Sequence, residues 1–371
     1  MPYIQDIQPG EKAKGDFHFI LKKMSSMKKV IKQVLGIDVA QNELVVCLGR
    51  MSEDLLTELY ARKAFANTQT GFEQMTGWVK KLTDAAIAVQ YVMEATGVYH
   101  ERLAYFLAER HMRISIVMPN KISNYMRTLD IKTITDKTAA EAIARFGLER
   151  GLDNWQQPTP VYKALRQLTR ERGQLIEERT VIKNQLHAEQ AEARPNKASI
   201  ERMNRRIALL NDQEKEIAAE IKVLVRSEEK VNEVVDLLCS MPGVGTLTAV
   251  TVLGETNGFD LIRNKKQLTS YAGLDVKEKQ SGTSVKGKPS ISKKGNKYLR
   301  KVLHLPALAA IRCDERFKDI SERLVGKHGI KMKAIVAVQR KLLEMMYTLY
   351  KTGKKYDENY LTKNEAKEEA A

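Results

Sequence analysis

Apolar positions in the first part of the chain come in short runs broken by polar turns. Val34–Asp38 and Glu43–Leu48 are two such runs with a brief polar break between them, a pattern that predicts a β-hairpin. A third strand is expected from Leu59 to Phe65. Phe72, Met75, Trp78 and Val79 then recur at helical spacing within Gly71–Leu82. Val89–Glu94 reads as a strand, Tyr99–Arg110 as a helix, and Ile114–Met118 as a strand that stops before Pro119. Asp136 opens a further helix. The pattern over residues 34–155 is that of a mixed α/β domain.

The period changes after Trp155-Gln-Gln-Pro-Thr-Pro160, which cannot continue a helix and marks a boundary. Ile200, Met203, Ile207, Leu210, Ile217, Ile221 and Leu224 follow alternating steps of three and four, with Glu214 as the break. Leu165, Leu168, Leu175, Ile182 and Leu186 keep the same spacing, interrupted by Arg172 and Arg179. Residues 156–227 are therefore expected to form a long antiparallel coiled-coil hairpin turned at Arg194-Pro-Asn-Lys197, each arm roughly 40 Å long. The hairpin is expected either to be a coiled coil within one chain or, since so long a hairpin covers little of its own chain's core, to join subunits as well. Residues 228–355 read as mainly helical, with Met241-Pro-Gly-Val-Gly245 resembling a helix-hairpin-helix turn. There Gly243 and Gly245 would free backbone N–H groups to meet a phosphate, although a plain turn has the same sequence. Residues 1–33 form a basic extension and 356–371 a polar tail.

Charge narrows the partners. A net charge of +16 over 371 residues favours a nucleic acid or an anionic surface. No apolar run approaches a membrane span, and the start lacks the core of a signal peptide, so a cytoplasmic protein is expected. Cys47, Cys239 and Cys313 lack metal-ligand spacing and read as small buried hydrophobes. The six histidines are dispersed, and no Walker loop signals ATP use.

Two centres carry candidate chemistry. Asp38 and Glu94 each close a strand, and Asp136 opens a helix. Carboxylates at such rigid positions suit one or two Mg²⁺ ions, which take few protein oxygens and fill the remaining positions with water and substrate phosphate. Any one of these acids alone could be an ordinary cap or loop residue. The second centre is Ser281, in a Gly/Ser-rich loop with no acid from Lys279 to Arg312. Lys279, Lys286, Lys288, Lys293, Lys294, Lys297, Arg300 and Lys301 make this stretch a candidate nucleic-acid surface. Ser284, Ser290 and Ser292 compete with Ser281 for any nucleophilic role.

These motifs match a family in order. Gly36-Ile-Asp38-Val-Ala40, Glu94-Ala-Thr-Gly-Val-Tyr99, Thr135-Asp136, Met241-Pro-Gly-Val-Gly245, Tyr271-Ala-Gly-Leu274, Ser281-Gly-Thr-Ser-Val-Lys-Gly287 and Lys293-Lys-Gly-Asn-Lys-Tyr-Leu-Arg300 resemble the IS-110 insertion-sequence transposases. These are DEDD recombinases related to the Piv DNA invertase. The resemblance spans about residues 34–355. It implies a RuvC-like, ribonuclease-H-like domain whose first and fourth strands lie side by side, then a coiled coil and a C-terminal transposase domain. It further implies that Asp38, Glu94 and Asp136 are the first three acids of a catalytic tetrad and Ser281 the nucleophile. The implied partners are donor and target DNA, a structured bridge RNA, and other copies of the chain as a homodimer pairing into a homotetramer. Each composite site would join acids of one subunit to a serine of another. The fourth tetrad position falls on Ala139, one helical turn from Asp136, where no ligand is available, which points to a weakened catalyst. Two other readings compete: a RuvC-like nuclease that needs the acids but not Ser281, and a non-enzymatic nucleic-acid scaffold.

Overall fold

The computed structural model describes residues 29–95, 97–129, 133–278, 280–281, 285–287 and 290–357, with only the backbone described for Gln280, Ser281, Val285 and Lys286. Most of the N-terminal extension, the tail from residue 358, Lys279, Ser284 and Lys288 lie outside the described residues. The chain divides into two compact units, 1–157 and 158–371.

In the first unit, β1 (Val30–Val39), β2 (Glu43–Ser52) and β3 (Thr57–Ala66) form an antiparallel meander. Helix α1 (Gln69–Leu82) leads to β4 (Val89–Glu94), and α2 (Glu101–Glu109) leads to β5 (Arg113–Val117). The strand order is β3-β2-β1-β4-β5, with β4 parallel to both β1 and β5. This is ribonuclease-H-like topology, and it sets the first and fourth strands side by side as expected. Helices α3 (Pro119–Met126) and α4 (Asp136–Glu149) complete the unit. The sequence pattern stops at Pro119, but the structure starts a helix there. Proline suits a first helical position because its missing N–H would be unsatisfied anyway.

Alternation along the strands sorts the two faces. Leu35, Ile37 and Val39 of β1 and Tyr91 and Met93 of β4 pack with α1 and α2. Val34 and Val92 face the other way, against α3 and α4. Gly36 lies on this second face, where a Cβ would sit 2.3 Å from Ala144 N and 2.4 Å from Ala140 O. The missing side chain lets α4 lie directly on β1.

In the second unit, α5 (Pro160–Ala191) and α6 (Lys197–Ser227) run antiparallel, about 48 and 46 Å long at 1.5 Å per residue. The polar breaks in their two apolar seams meet. Arg172 and Arg179 both donate to Glu214, at 2.6 and 2.5 Å, and Arg179 also donates to Asn211 at 2.7 Å. Near the other end, Leu165, Leu168, Ile217, Ile221 and Val225 join the core of the C-terminal helices. These are α7 (Glu229–Cys239), α8 (Thr246–Thr256), α9 (Lys265–Tyr271), α10 (Lys297–Val302), α11 (His304–Cys313), α12 (Glu315–His328) and α13 (Lys331–Thr352). Helix α8 is buried from Thr248 to Thr256 and forms the centre of this core. Between α9 and α10 the expected helical region gives way to short strands. β6 (Val276–Lys277) pairs with β9 (Ser290–Ile291), and β7 (Gln280–Ser281) with β8 (Val285–Lys286). Cys313 is exposed, contrary to the reading of all three cysteines as buried, because it ends α11 at the surface; Cys47 is fully buried. Among the described residues no helix is long and apolar enough to cross a membrane.

Candidate active site

Asp38 and Glu94 are placed by strand register. Ile37 of β1 lies level with Met93 of β4, so the next residues, Asp38 and Glu94, stand together at neighbouring strand ends about 4.8 Å apart. Ile37 and Met93 both point into the α1/α2 core, so both acids point to the opposite face, where α4 lies. Helix α4 begins with a reciprocal cap. The Thr138 N–H donates to Thr135 Oγ1 at 3.3 Å, and the Thr135 N–H donates to Thr138 Oγ1 at 2.8 Å. That cap sets Asp136 at the first helical position, where the helix dipole favours an acid.

Asp38, Glu94 and Ala139 line one cleft of about 620 Å³ with Pro119, Asn120, Ser123, Met126, Arg127 and Ile134. Burial pushes the Asp38 carboxyl up to about 6; the charges of Asp136 and Glu94 add to the rise, and a hydrogen bond with the Val39 backbone opposes it. Three acids far apart in sequence therefore share one electrostatic environment. Even so, among the described residues no group of three or more His, Cys, Asp or Glu is gathered tightly enough to hold a metal ion. Of the expected three-acid ligand set, Asp38 and Glu94 line the cleft, and Asp136 is close enough for its charge to act on Asp38. Like charges repel around Asp38, and the Ala139 methyl faces the cleft where a fourth carboxylate would reach in. The donor chemistry still fits Mg²⁺, which needs hard oxygens and few of them from protein. Glu141, the nearest acid in sequence to Ala139, is turned away and pairs with Arg62 at 2.6 Å. The sequence pattern does not point to Asn120 and Ser123, which lie on α3, or to Arg127, which caps its C-terminal end.

In the second unit Ser281 lies on β7, level with Val285 of β8. Its competitor Ser292 is committed elsewhere: its hydroxyl donates to Asp275 at 2.5 Å and its N–H to the Asp275 carbonyl at 2.8 Å. Ser290 sits exposed in β9. The basic residues separate by role. Lys293 and Lys294 are exposed, Lys297 lies 5.2 Å from the Tyr298 ring centre, and Lys301 pairs with Glu177 at 2.7 Å. Arg300 has one of its nitrogens committed to the backbone. Its Nη1 donates to the carbonyls of Ala272, Gly295 and Asn296 at 2.7, 3.2 and 3.3 Å, so it braces the backbone. Gly243 and Gly245 connect α7 to α8. Gly243 has φ +79°, and a Cβ there would meet the Pro306 carbonyl of α11 at 2.6 Å, so it is required by backbone conformation and packing. Gly245 caps α8 with open space around it, leaving that helix start accessible.

The comparisons with known proteins agree with one another. A family model described as the Transposase IS116/IS110/IS902 family matches residues 235–322, and a second, DEDD_Tnp_IS110, described as Transposase, matches residues 35–191. A pilin gene-inverting protein of Moraxella bovis is 29% identical over 88% of this chain and 98% of its own length. A transposase for insertion sequence element IS1111A of Coxiella burnetii is 23% identical over 88% and 92%. Among solved structures, T. thermophilus RuvC in complex with a Holliday junction substrate matches at 12% identity and a TM-score of 0.23, over 31% of this chain and 97% of that one. The ribonuclease-H-like assignment rests on the strand order, not on that overlay.

Proposed function

Because the chain belongs to the IS110/IS902 family of DEDD transposases, we propose that it recombines DNA by cutting and rejoining strands through Ser281, with the acidic cleft assisting the serine attack. The observation that carries this reading is the pair Asp38 and Glu94, on one face at adjacent strand ends, in a cleft that Ala139 also lines. Asp38, Glu94 and Asp136 would hold one or two Mg²⁺ ions. When bound, the metal would polarise the scissile phosphate as a Lewis acid. Arg127, Asn120 and Ser123 line the same cleft and supply donors for phosphate oxygens.

In the cleavage step Ser281 gives up its hydroxyl proton, which ends on the leaving strand, and its oxygen forms a bond to phosphorus. The leaving strand departs as a free hydroxyl. The bond energy is kept in the serine–phosphate ester, so a hydroxyl from another strand can reverse the attack without ATP. The family resemblance adds the finer partners: a bridge RNA pairing with donor and target DNA, and a homotetramer in which acids and serine come from different subunits. Exposed lysines such as Lys293 and Lys294 would hold nucleic-acid backbones, so binding should weaken steeply with salt.

Ser281→Ala tests the reading. It should abolish a covalent protein–DNA adduct and leave DNA and RNA binding intact; an adduct that persists moves the nucleophile elsewhere. A second reading has its own support. The residues lining the acidic cleft all come from the first unit, so a hydrolytic junction nuclease could rest on them without Ser281. That enzyme would cut DNA in the Ser281→Ala variant and never form an adduct.

A further inference from the structure

Glu255 is an acid in the buried centre of the second unit, on α8, and only 2% exposed. A carboxylate in such a place needs partners, and it has several. Arg170 of α5 grips it with two bonds, Nε to Oε1 at 2.7 Å and Nη2 to Oε2 at 2.8 Å. Asn296 Nδ2 donates to Oε2 at 2.6 Å. The guanidinium of Arg170 stacks 4.5 Å from the Tyr298 ring centre, and the Tyr271 hydroxyl donates to the Glu255 carbonyl at 2.9 Å.

These partners converge on one structural feature, the base of the β6–β9 hairpin that carries Ser281. The hairpin leaves α9 after Tyr271 and returns to α10 through Asn296. Asn296 itself caps α10, accepting from the Tyr298 and Leu299 N–H groups at 2.9 and 3.2 Å, while its own N–H donates to the Tyr271 carbonyl at 2.8 Å. Both ends of the hairpin are thus tied to one residue: Asn296 to the Glu255 carboxylate and Tyr271 to the Glu255 backbone carbonyl, and the carboxylate's other partner, Arg170, is on α5.

We propose that Glu255 is a positioning residue for serine attack: through Asn296 and Arg170 it fixes the base of the Ser281 hairpin against α8 and α5. This rests on the reading of Ser281 as the nucleophile. Leverage makes the effect large. Ser281 lies four residues beyond Lys277 of the paired base, at most roughly 13 Å at about 3.3 Å per residue. A tilt of about 5° at the base moves that point by about 1 Å, and a misplacement of that size costs about a hundredfold in rate.

A reciprocal exchange tests it in the full chain with its DNA and RNA. Asn296→Asp keeps an oxygen to cap α10 but sets a carboxylate against Glu255. Adding Glu255→Gln restores one amide and one acid across the same contact. The single variant should form the serine–DNA adduct about tenfold to a hundredfold more slowly at saturating DNA, with unchanged DNA affinity and faster hydrogen exchange in the hairpin. The double variant should recover the rate to within about threefold of wild type and restore slow exchange. If Asn296→Asp does not fold, Glu255→Gln alone should slow the adduct about fivefold or more at wild-type DNA affinity. A single variant with wild-type rate and exchange overturns the proposal. So does a double variant that regains slow exchange but not rate. Loss of rate that only follows lost DNA binding also overturns it. If Ser281→Ala still forms an adduct, the nucleophile assignment fails instead, and hairpin exchange alone then decides whether Glu255 sets the base.

Discussion

Asp38→Asn should stabilise the metal-free protein while removing its cleavage activity. The sign follows from linkage. The folded Asp38 carboxyl titrates at about 6, against an ordinary value of 3.8. Between those two pH values the unfolded chain holds fewer protons than the native one, so stability falls as pH rises through the interval. Above about pH 6 the charged carboxylate carries its full cost. That difference corresponds to at most about 3 kcal/mol. The group is partly in contact with water, and screening reduces the figure to about 1–2 kcal/mol. Asparagine has the same shape and no charge, so it should raise the melting temperature by about 3–6 °C near pH 8. At about pH 3 and below, where wild-type Asp38 is protonated in both states, the gain should shrink to almost nothing. Thermal melts of both proteins across this range, in chelator, make the measurement. An equal effect at both ends of the range, or a loss of stability near pH 8, would refute the electrostatic account of the cleft.

Ala139→Asp places a carboxylate into the cleft lined by Asp38 and Glu94, so Mg²⁺-dependent strand cleavage should rise, by about tenfold or more if the fourth acid matters. A cleavage assay showing no gain would make that position irrelevant. Gly36→Ala puts a methyl within 2.4 Å of the α4 backbone. It should cost about 1–3 kcal/mol in denaturant unfolding and lower cleavage by shifting Asp136 away from Asp38. Glu214→Leu strands Arg172 and Arg179, both partly buried, and should cost about 1–3 kcal/mol; adding Arg172→Met and Arg179→Met should recover most of it, as followed by helical circular dichroism.

Much of this protein can be read from its sequence because local chemistry decides local structure. Period-two and period-3.6 patterning located the five strands of the sheet and the two long helices, and Val89–Glu94 matches the observed strand to the residue. Helix α3 was missed because a proline reads as a stop where here it serves as a start. The short ladders around Ser281 are two residues each, too brief to show any period. Arg300 could not be told from its basic neighbours by sequence, since a guanidinium on three carbonyls and one on a phosphate are the same letter. Glu255 left one sign, a lone acid in an apolar stretch, but its partners lie 85 and 41 residues away.

The acid types, the serine loop and the order of motifs were therefore set by the sequence alone. That Asp38 and Glu94 face the same side was decided by strand register, since a slip of one residue would have turned one of them into the α1/α2 core. That Ala139 opens onto the same cleft was decided by how closely α4 lies on Gly36. Both are consequences of long-range packing, in which the distance between two side chains depends on elements that neither residue specifies.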